Sequence, residues 1–197
     1  MSFVYADLIR NLSNNITVPT FGSVIRTDYM RYDGRPGYYQ RGWIAPSNSN
    51  ILFPLRLTAQ NVPYPGTILI ASWQLSIECN HDTVFKVLVD GSWRDNSVGT
   101  SGQAAAPSDE WYWKGLLCAY YDADNSTTPS NYQLLWIGRA GTTGNINLDI
   151  APQTSTEGGD TVFVNRTYNS AGSDDREVGV CTGVVFQISG VEGQLDG

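Results

Sequence analysis

Any Ser-His-acid or Cys-His machinery in this sequence would have to be built on His81, its single histidine. His81 sits in Asn80-His81-Asp82, which reads as a hairpin turn with no nucleophile-elbow pattern nearby. Paired carboxylates occur at Asp109-Glu110 and Asp174-Asp175. Glycoside hydrolysis needs two carboxyl groups flanking a cleft, and neighbours on one loop do not create that spacing. Asp122-Ala123-Asp124-Asn125-Ser126 offers oxygens at alternate positions, as a calcium loop does, yet the glycine and closing glutamate of an EF-hand are missing. Gly138-Arg139-Ala140-Gly141 and Gly158-Gly159 do not introduce helices, so no phosphate cradle is expected. These residue types predict a protein that is not an enzyme, with no catalytic residue, no metal and no cofactor.

The aromatics invite a second chemistry. Trp111-Tyr112-Trp113 and Tyr120-Tyr121 have faces that fit pyranose rings, but aromatics at strand starts more often anchor a core or a subunit interface. Trp43 and Trp93 fall in loop contexts and are the better candidates for exposed contact, since aromatics dominate interface hot spots. Cys79, Cys118 and Cys181 form an odd set inside apolar strand patterns, with no C-x-x-C pair, which predicts buried free thiols.

Charge narrows the partners. The chain carries −7 overall, but its first 45 residues hold five arginines against three aspartates, so +2 there leaves −9 for the remainder. An acidic body lacks the basic footprint that nucleic-acid binding requires. The arginines of the first segment suit planar pairing with an acidic protein surface. Met1-Ser2-Phe3-Val4-Tyr5-Ala6-Asp7 has no basic n-region and no long apolar stretch, so neither a signal peptide nor a membrane span is expected. The Asn-x-Ser/Thr sequons at Asn11, Asn15, Asn125 and Asn165 then read as chance in an Asn-, Ser- and Thr-rich chain.

The elements that must position these groups are strands. Val4, Leu8 and Leu12 recur at helical spacing behind Ser2, suggesting a short N-terminal helix. From Asn14 to Asn50 no period is sustained, although Tyr29, Tyr32, Tyr38, Tyr39 and Trp43 make the segment too aromatic for disorder. It reads as an extended arm packed on its own domain or on a neighbour. The division is therefore residues 1–50 as arm and 51–197 as one β-domain.

Strands are predicted over Ile51–Thr58, Thr67–Cys79, Thr83–Val89, Trp111–Tyr121, Tyr132–Ile137, Asn145–Ile150, Thr161–Tyr168 and Glu177–Ser189, with Asp90-Gly91 as a hairpin signal. Ile146, Leu148 and Ile150 alternate with Asn145, Asn147 and Asp149, one set for the core and the other for water. In the last strand Val178, Val180, Val184, Phe186 and Ile188 share a face, while Gly179 and Gly183 suggest a closely approached backbone. About eight strands with no intervening helices predict an all-β, antiparallel two-sheet jelly-roll sandwich with an extended N-terminal arm.

The body from about Thr67 to Gly190 resembles the jelly-roll modules related to the tumour-necrosis-factor and complement globular-head fold that recur in bacteriophage fibre tips and head-decoration proteins. The resemblance rests on Ile68-Leu69-Ile70-Ala71-Ser72-Trp73-Gln74-Leu75, Phe85-Lys86-Val87-Leu88-Val89-Asp90-Gly91, Asn145 to Ile150, and Gly183-Val184-Val185-Phe186-Gln187-Ile188. It implies a homotrimer about a threefold axis, with the arm anchoring the module to a virion after synthesis in a host cytoplasm. The expected function is that of a non-enzymatic virion structural protein, a capsid decoration or cement subunit contacting the major capsid protein. The alternative is a receptor-binding tail fibre tip, joined to a tail protein, or a lectin-like module binding a host glycan. Partner-binding candidates in the arm are Arg26, Tyr29, Arg31, Tyr32, Arg35, Tyr38, Tyr39, Arg41 and Trp43. Candidate ligand or receptor loops carry Trp93, Arg94, Asp122, Asp124, Asn125, Asp174 and Asp175.

Overall fold

The computed structural model describes residues 22–34, 43–46, 51–79, 83–93, 116–119, 128–154, 161–167 and 178–190, with backbone alone at 43–46, 92–93 and 153–154. In chain order the strands are β1 (Val24–Tyr32), β2 (Trp43–Pro46), β3 (Leu57–Val62), β4 (Ile68–Cys79), β5 (Thr83–Val89), β6 (Ser92–Trp93), β7 (Leu117–Ala119), β8 (Ser130–Arg139), β9 (Gly144–Thr154), β10 (Thr161–Val164) and β11 (Cys181–Ile188). A 3-10 turn, Phe53–Leu55, precedes β3.

The strands form two antiparallel sheets, one of six and one of five. The first runs β1-β11-β4-β8, with β10 following β11 along the same side of β4 and β2 pairing β10. The second runs β3-β9-β5, with β6 and β7 both paired to β5. Setting aside the added strands β2, β6 and β10 and numbering the rest one to eight in chain order gives sheets 1-8-3-6 and 2-7-4-5. That is the jelly-roll wrap, two Greek keys folded into one sandwich.

Alternation explains why these segments pair as they do. On β4 the residues Leu69, Ala71, Trp73, Leu75, Ile77 and Cys79 are buried between the sheets. They meet Phe85, Val87 and Val89 of β5 and Ile146, Leu148 and Ile150 of β9 in one core cluster. Each Leu, Ile, Val or Phe side chain among them contributes roughly 1.5–3 kcal/mol on burial. The indole N–H of Trp73 donates to the Leu55 carbonyl at 2.9 Å, satisfying a buried donor and fastening the 3-10 turn to the six-stranded sheet.

One expectation is overturned, and the structure bears on two others. Ile51–Thr58 is not one strand: Pro54 sits at the start of the 3-10 turn, where its missing N–H costs nothing, and pairing begins only at Leu57. Asn80-His81-Asp82, expected as a hairpin turn, lies outside the described residues; the strands on either side of it, β4 and β5, belong to different sheets and do not pair with each other. Within the segment expected as an arm, Val24–Tyr32 pairs along β11 from Val24↔Ile188 to Tyr32↔Cys181, and Trp43–Pro46 pairs with β10. These two stretches therefore pack on their own domain, the first of the two surfaces the sequence left open.

Other expectations stand, one of them only in part. Asp90-Gly91 closes the β5–β6 hairpin with φ of 48° and 73°, the left-handed pair a two-residue turn needs. Cys79 and Cys181 are buried free thiols as expected, but the expectation fails at Cys118, whose position on the short strand β7 leaves it exposed.

Candidate interaction face

A strand between two layers hides one face and shows the other, and in antiparallel sheets the shown face is normally polar. On β11 the hidden phase is Cys181, Gly183, Val185 and Gln187, and the outward phase is Thr182, Val184, Phe186 and Ile188. Val178 and Val180, just before the strand, are exposed as well. The apolar series of the last strand is thus the outer one.

Its neighbours extend it sideways. Register places Tyr29, Val184, Ser72 and Leu135 in one row and Thr27, Phe186, Ile70 and Ile137 in the next. Ile188 and Ile68 continue the face toward Arg139. Tyr29 is 84% exposed, Leu135 49% and Phe186 37%. An apolar surface continuous over four strands marks a place where another molecule packs.

The outer face of the five-stranded sheet is built differently. Asp149 pairs across from Leu88 and accepts from two Arg56 nitrogens, Nε on Oδ1 at 2.6 Å and Nη2 on Oδ2 at 3.0 Å. Hydrogen bonding to Asp149 holds the Arg56 guanidinium above its ordinary pKa, against a smaller lowering by burial. The guanidinium also stacks 4.4 Å from the Phe53 ring centre. Thr58 donates to Asn147 Oδ1 at 2.9 Å, and Asp90 exchanges bonds with the Asn147 backbone. Its polar groups are engaged within the subunit, so the two sheets differ in what they present.

At the margin of the apolar face, β1, β3 and β11 are joined by a polar cluster. Asp28 accepts Arg26 Nε at 2.7 Å, the Gln60 backbone N–H at 2.9 Å and Gln187 Nε2 at 3.2 Å. Gln187 Nε2 also donates to the Gln60 carbonyl at 2.7 Å. This inward carboxylate ties the two sheets together where their edges meet.

The arm candidates divide accordingly. Tyr29 and Arg31 point outward, Arg26 is engaged with Asp28, and Tyr32 packs partly against the core. Burial, with Cys181 and Asp33 nearby, raises the Tyr32 phenol above its usual pKa. Trp43 and Trp93, expected in loops, lie instead on the paired strands β2 and β6, each described by backbone alone. Arg35, Tyr38, Tyr39, Arg41, Arg94, Asp122, Asp124, Asn125, Asp174 and Asp175 lie outside the described residues, as do His81, Trp111, Trp113, Asp109 and Glu110.

Sequence reasoning missed the outward part of this face contributed by Ile68, Ile70, Leu135 and Ile137. The usable signal was local: Ile68-Leu69-Ile70-Ala71 on β4 and Leu134-Leu135-Trp136-Ile137 on β8 are apolar in both phases of the alternation, as expected where a strand is covered on both sides. Among the described residues no three His, Cys, Asp or Glu side chains gather as a metal site, and no helix is long and apolar enough to cross a membrane.

Neither a protein-family model nor a curated protein matches this sequence. Among solved structures, it is similar to a chain in the structure of infectious bursal disease virus, Gx strain. The TM-score is 0.30 and the identity 12%, over 87% of this chain and 38% of that one. A likeness of that size transfers neither a fold nor a role.

Proposed function

We propose that this protein is a non-enzymatic virion structural protein, a homotrimer stationed on a capsid as a decoration or cement subunit and fixed there through its N-terminal segment. The outward apolar face of the six-stranded sheet carries the reading. A sandwich needs one buried face per sheet, and this one adds a second fit for burial against protein. The 1-8-3-6 and 2-7-4-5 strand order supports it, since it is the wrap expected of the module this sequence resembles.

Such a subunit works by contact. Phe186, Tyr29 and Leu135 supply apolar area to subunit packing, and the arginines of the first 45 residues supply charge to an acidic capsid surface.

Light scattering at micromolar concentration tests the assembly: the expected particle has three times the 21.6 kDa chain mass. Co-sedimentation with undecorated capsids tests the location. Monomers in the first experiment, or glycan-array binding with no capsid binding in the second, would overturn the reading.

A further inference from the structure

The symmetry of a trimer limits what can cover the apolar face. A patch that meets its own copy makes an isologous contact and gives a dimer, whereas a ring of three needs one surface to meet a different one on the next subunit. If the ring closes through this face, the face receives some other apolar part of the chain.

Residues 1–21, which lie outside the described residues, have the required character and origin. The chain joins the body at Gly22, whose N–H donates to the Ser189 carbonyl, while Ser189 N–H donates to the Ser23 carbonyl. That point borders the face, beside Val24 and Ile188. Val4, Leu8 and Leu12 recur at helical spacing, and a helix from Val4 to Leu12 is roughly 12 Å long. Four strands span roughly 14 Å, so such a helix would cross the face from β1 to β8. The residues between Leu12 and Gly22 reach up to about 30 Å when extended, enough to leave one subunit and arrive on another.

We propose that residues 1–12 of one subunit lay the Val4, Leu8 and Leu12 stripe across the outer face of β1, β11, β4 and β8 of the next, closing the ring by exchange of arms. This rests on the trimer reading above. It makes the segment a subunit clasp, with Tyr29 and Phe186 as its seat.

The test uses full-length protein, comparing wild type with Leu8→Asp on the stripe, Tyr29→Asp on the seat, and Ala6→Asp on the opposite side of the helix. The readouts are mass by light scattering and the rate of tryptic cleavage after Arg10. Wild type and Ala6→Asp should be trimers with Arg10 protected, and Leu8→Asp and Tyr29→Asp should be monomers cut at least tenfold faster. If the Leu8→Asp and Tyr29→Asp proteins remain trimers with Arg10 protected, the clasp is overturned while the trimer stands. A monomeric wild type overturns both, including the case in which Arg10 is protected because each segment seats on its own subunit.

Discussion

Gly183 on β11 stands directly opposite Trp73 on β4, and a β-carbon built on the glycine would lie 2.8 Å from Trp73 Cδ1. The same β-carbon would meet Leu57 Cδ1 and Met30 Cγ, each at 3.2 Å. The indole fills the space a side chain would occupy and cannot withdraw, because its N–H is bonded to the Leu55 carbonyl. Gly183 inside β11 leaves room for a tryptophan of the core, and Phe186 and Ile188 of the same strand are turned outward.

Gly183→Ala should therefore overpack the core. The expected loss is about 1–3 kcal/mol, larger for Gly183→Val, measured by urea unfolding. Unchanged stability in Gly183→Ala would mean that Trp73 has another place to go.

The outward phase should behave in the opposite way. Phe186 points outward but is only 37% exposed, so Phe186→Asp should cost the dissociated subunit about 1–2 kcal/mol without unfolding it, while assembly is lost. Val185→Asp, one residue away, puts a charge into the core and should prevent folding. Circular dichroism and light scattering on the pair separate the two faces, and equal loss of structure in both variants would contradict the assignment.

How much of this could be read beforehand depended on which side of each strand carried the information. Ile146, Leu148 and Ile150 gave a clean period because their alternates Asn145, Asn147 and Asp149 are polar, and β9 lies where that pattern put it, except that Asp149, expected to face water, is buried against Arg56. β1 hid itself: its inward phase contains Asp28, which alternation would send to water. That carboxylate is held inside by Gln60 and Gln187, far away in sequence, and no local pattern reveals such partners. The extent of the outward face was legible only in part, for a related reason. It is assembled by register between β1, β11, β4 and β8, and register is a property of pairs.

The buried Asp149 offers a test of the opposite sheet. Arg56→Ala would leave that carboxylate charged and without its guanidinium, at a cost of about 3 kcal/mol, whereas Asp149→Ala leaves an Arg56 that is 31% exposed and can turn to water. Combining Arg56→Met with Asp149→Leu should recover most of the loss, since both charges leave together. A double-mutant cycle by urea unfolding checks this, and strictly additive losses would show that the pair is not coupled.

Alkaline pH should loosen the fold through Cys181. Burial raises this thiol from 9.0 to about 11, a rise only partly opposed by its hydrogen bond with the Ser76 backbone. The folded chain therefore keeps a proton that the unfolded chain gives up near pH 9. Stability from this group is complete below pH 9 and is lost as pH climbs through about 11, amounting to about 3 kcal/mol across the window. The raised Tyr32 phenol acts in the same direction at somewhat higher pH. Urea unfolding of wild type at pH 8, 9, 10 and 11 should give a falling stability, and Cys181→Ala should start lower yet fall less steeply. Parallel profiles for the two proteins would mean that the alkaline loss arises elsewhere.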